Sequence, residues 1–110
     1  MSFFKSDIVQ KELRDIADLQ EKIYNKVWEF ANMNNKDKLC HIEMLEELLN
    51  KQRVLYTRMT LSDDPSAKEM KESILVQARK LGFPQDVDLT YVFGNMTHII
   101  DNMKKSLRDS

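Results

Sequence analysis

The sequence has little of what most small domains use to turn the chain or staple it. Two Gly and two Pro in 110 residues leave little room for a turn-rich or all-β design. One Cys, Cys40, permits no internal disulfide, so the chain reads as a protein of a reducing compartment. No apolar run approaches the roughly 18 residues of a membrane span. Met1 to Asp7 lacks the basic start and apolar core of a secretory signal. Charge is plentiful but has no dominant sign, with 17 Lys and Arg against 18 Asp and Glu. Such a balance speaks against general nucleic-acid binding, which needs a dense positive field. These absences together point to a cytoplasmic, single-domain protein over residues 1–110, without cofactor or membrane partner.

What is present is helical periodicity. From Asn35 to Leu61 the chain reads as one amphipathic helix without Gly or Pro. Leu45, Leu48, Leu49, Leu55, Tyr56 and Met59 recur at steps of three and four, which places them on one face. At 1.5 Å per residue this helix is roughly 40 Å long, so its apolar stripe needs a long partner. Asp7 to Met33 supplies one. Val9, Ile16, Ile23 and Phe30 repeat every seven residues, the spacing of left-handed packing between long helices. Ser6 is a candidate N-cap, and Phe3 and Phe4 read as an apolar cap on the bundle end. Asn32, Met33, Asn34 and Asn35 mark a tight turn, which makes the two helices an antiparallel hairpin.

Two shorter helices follow. Asp64 before Pro65 is a start signal for a helix over 65–80, and Gly82 is its stop. Asp86 or Asp88 caps a last helix reaching about Leu107. Its stripe is Leu89, Val92, Phe93, Met96, Ile99, Ile100, Met103 and Leu107, with Gly94 and His98 off it. The expected fold is therefore all-α: a long antiparallel hairpin plus two shorter helices, packing as a dimeric helical bundle.

Candidate chemistry is sparse. Cys40 and His41 are adjacent, and a helical step of about 100° turns their side chains apart. Cys40 reads instead as a half-buried small hydrophobe. Neither His41 nor His98 follows a Glu by three residues, as a carboxylate-bridged metal site in a bundle requires. Glu43, Glu46 and Glu47 read as a solvated face. There is no phosphate-binding glycine loop. The chain is thus read as a non-enzyme with no metal.

The ends and middle of the chain resemble a known family. FFKSDIVQKE, IEMLEELLNKQRVLYTRMTLSDD and VFGNMTHIIDNMKKSL are similar to a small cyanobacterial family, domain of unknown function eighteen twenty-five. The Leu61-Ser62-Asp63-Asp64 junction and the start at Phe3 are its most specific parts. The chain departs from the pattern between Gly82 and Phe93 and in the apolar residues of the first helix. The resemblance implies a cytosolic protein of cyanobacteria or cyanophage and brings no activity or catalytic residue.

A self-associating protein–protein interaction module is the function expected. Val9, Ile16, Ile23, Leu45, Leu49, Tyr56 and Met59 are the candidate face, shared between core and homodimer interface. The alternative is a monomeric regulatory adaptor binding a cyanobacterial host complex through the same stripe. Nucleic-acid binding through Lys51, Arg53 and Arg58 ranks below both, because acidic residues surround them.

Overall fold

The structure is a computed structural model that describes residues 2–86 and 88–109. Among those residues it holds four α-helices and no strand: α1 (Asp7–Lys26), α2 (Asn35–Leu61), α3 (Pro65–Lys80) and α4 (Leu89–Arg108). The expected helix boundaries hold for α2 and α3. The first helix differs: from Val27 to Asn32 the chain tightens into a 3-10 turn. Bulky Val27, Trp28 and Phe30 are weak helix formers, and helix ends commonly tighten this way. The tightened segment sets the Phe30 ring against His41, with centroids 5.4 Å apart.

The caps have local causes. Asn34 accepts a hydrogen bond from the Asp37 N–H at 2.8 Å and starts α2. No Asn in this turn takes a left-handed backbone; capping alone explains the run. Gly82 has φ of 101° and ends α3, as a residue without Cβ does freely. Asp88 accepts from the Thr90 N–H at 2.9 Å and starts α4. Ser6 stands at the cap position of α1, but its side chain makes no capping bond.

Asp64 does more than cap α3. Its carboxylate accepts the Ser66 N–H at 2.8 Å, the Ser66 hydroxyl at 2.6 Å and the N–H of Phe3. These donors, the Ser66 side chain foremost, hold the carboxyl below its ordinary pKa. The start of the chain and the α2–α3 junction are thereby tied together. Phe3 and Phe4 stack edge to face, 5.0 Å between centroids, over Val9, Ile16 and Leu55.

α2 is the central element. α1 runs antiparallel along one side, as the pairs Glu12–Arg58 and Asp15–Lys51 show. α4 runs antiparallel along another, with Lys104 on Glu46 and the Phe93 ring 5.8 Å from Tyr56. α1 and α4 each pack on α2 and scarcely on each other, while α3 packs on α2 and on the N-terminal turn. The core is accordingly split in two. Val9, Ile16 and Leu55 fill the seam between α1 and α2; Ile42, Leu49 and Ile100 fill that between α2 and α4.

The result is a slab of 48 × 32 × 20 Å with a radius of gyration of 16.0 Å. A compact chain of this length has a radius near 13 Å. The chain exposes 7945 Å², whereas a compact monomer of 13.0 kDa exposes about 6,300 Å². No helix among the described residues is long and apolar enough to cross a membrane.

Candidate functional site: a groove between α1 and α4

The two open sides of α2 differ in chemistry. On one, Glu12 and Asp15 of α1 face Glu43, Glu46 and Glu47 of α2 around a cavity of about 430 Å³. Cations answer most of this charge. Arg58 Nε donates to Glu12 at 2.7 Å, Lys51 lies 3.8 Å from Asp15 and 3.9 Å from Glu47, and Lys104 donates to Glu46 at 2.8 Å. Glu12 Oε2 is buried without a hydrogen-bond partner. Two of the three cations weighed for nucleic-acid binding, Lys51 and Arg58, are therefore engaged by carboxylates. No cluster of metal-ligating side chains occurs among the described residues.

The other side is an apolar groove. Leu45, Leu48 and Gln52 of α2 form its floor. Ile23, Tyr24 and Val27 stand on the α1 side around a cavity of about 520 Å³. Met96, Ile99 and Ile100 stand on the α4 side around one of about 280 Å³, and Leu48 lines both. Spacing explains why the walls are apolar. On α1, Leu13, Ala17, Gln20 and Tyr24 follow one another by four, three and four residues, and Val27 comes three further on, at the start of the 3-10 turn. On α4, Val92, Met96, Ile99 and Met103 do the same. Steps of this kind trace one seam along a helix. Each outer helix therefore carries two seams, one buried on α2 and one on the groove side. The second seam is open: Ile99 is 57% exposed, Met96 44% and Tyr24 69%.

The seven residues expected to be shared between core and interface fall as follows. Val9, Ile16, Ile23, Leu49 and Met59 are buried within this one chain. Leu45 and Tyr56 are half-buried, Leu45 on the groove floor and Tyr56 against Phe93. The chain's own helices thus cover most of that stripe, and the open apolar surface lies beside it, on α4 and the end of α1. Sequence reasoning placed Met96, Ile99 and Met103 in the stripe of the last helix but not at its uncovered edge. The signal was a stripe of eight residues, too broad for one neighbouring helix to cover.

Other expectations change with the fold. Cys40 is exposed rather than half-buried, because its neighbour His41 takes the inward position. His41 is buried under Phe30, and its Nδ1 has no partner. Trp28 is 81% exposed at the hairpin tip. Gly94, off the apolar stripe, is exposed, and a Cβ built on it meets nothing within 4 Å.

No curated protein and no solved structure matches the chain. A family model described as a domain of unknown function, DUF1825, matches residues 1–107. That span includes the Phe3 start and the Leu61–Asp64 junction, the two motifs that the Phe3–Asp64 hydrogen bond joins. The chain belongs to the DUF1825 family.

Proposed function

We propose that this chain is a non-enzymatic, cytoplasmic helical interaction module that works as a homodimer. The observation that carries the reading is surface. The chain exposes about 1,600 Å² more than a compact monomer of its mass, and part of that excess is the apolar groove. A standard interface takes about 800 Å² from each partner. A net charge of −1 adds almost no repulsion between two copies. Light scattering behind size-exclusion chromatography tests this, with twice the chain mass expected at micromolar concentration. A chain mass that persists to millimolar concentration overturns it.

A second reading is a monomeric adaptor for a cyanobacterial host complex, cellular or phage-encoded. It is favoured by Tyr24 and Trp28, two exposed aromatics at the hairpin tip of the kind that anchor interfaces. Under this reading the purified chain is a monomer, and Trp28→Ala abolishes capture of the host complex without changing the fold.

A further inference from the structure

Resting on the homodimer reading, we infer that the second copy enters the groove with its own α4, pairing antiparallel with the first α4 about a two-fold axis near Ile99. The groove lacks a fourth helix. Apart from Glu21 on the α1 side, its floor and both walls present uncharged side chains: Leu45, Leu48 and Gln52 below, the Tyr24 seam on one side and the Ile99 seam on the other. A helix laid between them completes a four-helix bundle.

α4 is the segment whose surface fits that place. Between Leu89 and Met103 its one Asp, Glu, Lys or Arg is Asp101, in a chain that is 32% charged. Met96 and Ile99 of its open seam already line the groove, and Met103, 37% exposed, follows one helical turn further on. The helices α1 and α3 bring charges at many positions and cannot be sunk in an apolar groove at similar cost. A two-fold operation makes the exchange mutual. As one α4 settles beside the other, each lies between the partner's α1 and α4, so both grooves are filled by one act. The seam is symmetric about its own middle. Met96 of one helix then faces Met103 of the other, and the two Ile99 side chains meet near the axis. Methionine suits such a contact, because its unbranched chain adapts to the gap between two identical helices.

The test is a cysteine placed at the axis. In a Cys40→Ser background, which removes the exposed native thiol, Ile99→Cys is oxidised with diamide. Near-complete disulfide-linked dimer is expected on a non-reducing gel. Tyr91→Cys is the control: it is equally accessible, yet in the antiparallel pair it lies about 25 Å from its symmetry mate. It is expected not to cross-link. Ile99→Glu is measured in parallel by light scattering and circular dichroism. Because Ile99 is more than half exposed in the single chain, helicity is expected to survive while the dimer dissociates at least 100-fold more readily. A wild-type dimer that persists in Ile99→Glu, with no cross-link through position 99, overturns this interface and leaves the homodimer reading intact. A wild-type monomer at every concentration overturns both. If Ile99→Glu fails to fold, the cross-link alone decides.

Discussion

α1 and α4 lie on the same central helix in the same antiparallel sense, but they are held there differently. α1 is pinned by charge in its first half, through Glu12–Arg58 and Asp15–Lys51, and the chain ahead of it is tied to Asp64. Among the described residues α4 has one ion pair to α2, Glu46–Lys104, and it packs on α2 through Ile100, Phe93 and Leu107. α1 spends its polar residues on register. α4 leaves apolar side chains in water. The difference teaches that a stripe wider than its neighbour can cover is a statement about a missing surface, because free Met and Ile side chains bring no register of their own.

Breaking the α4 side outright has the largest expected effect. Leu49 is 3% exposed in the seam between α2 and α4. A buried unpaired charge there costs several kcal/mol, a large part of the whole stability of a small domain. Leu49→Glu is therefore expected to abolish the cooperative thermal transition in circular dichroism, unlike Ile99→Glu.

Truncations of the two seams come next and test whether they are independent. Ile16→Ala and Leu49→Ala each remove a buried side chain at about 2–5 kcal/mol. Because the two core clusters share no buried residue, each seam can open locally. Amide exchange is expected to accelerate most in α1 for Ile16→Ala and most in α4 for Leu49→Ala. Equal acceleration everywhere would mean a single cooperative core.

A smaller effect belongs to the pins. Arg58→Ala leaves Glu12 largely covered and without its cation, costing about 1–2 kcal/mol. Urea midpoints read this, and the double variant with Glu12→Gln is expected to recover most of the loss. Gly94→Ala acts in the opposite direction on α4. The added Cβ meets nothing, so only the backbone gain remains, about 1 kcal/mol and a rise of about 4–8 °C in Tm.

The smallest effect is set by pH at the N-terminal tie. The Asp64 carboxyl has a lowered pKa in the folded chain. Its contribution is complete above the unfolded value, roughly pH 4, and is lost as pH falls through the lower folded value. Asp64→Asn is expected to flatten the acid limb of a stability–pH curve and leave neutral pH nearly unchanged in slope.

The sequence by itself determined the elements. Asn34, Asp64, Asp88 and Gly82 act on backbone groups within four residues of themselves, so the ends of the helices were legible from residue type and spacing. The hairpin followed as well, since a short turn between two long stripes leaves little choice of partner. The 3-10 turn at Val27 was not legible, because it depends on where Phe30 finds His41. Nor was the hydrogen bond from Phe3 to Asp64, which spans 61 residues. Only the tertiary structure decided which part of each stripe stays open. Periodicity fixes the direction of a side chain about its own helix axis, but coverage depends on the position of a neighbour in space. That α1 and α4 stand apart across α2, and leave Met96, Ile99 and Tyr24 facing a common groove, is a property of packing angles that no single helix encodes.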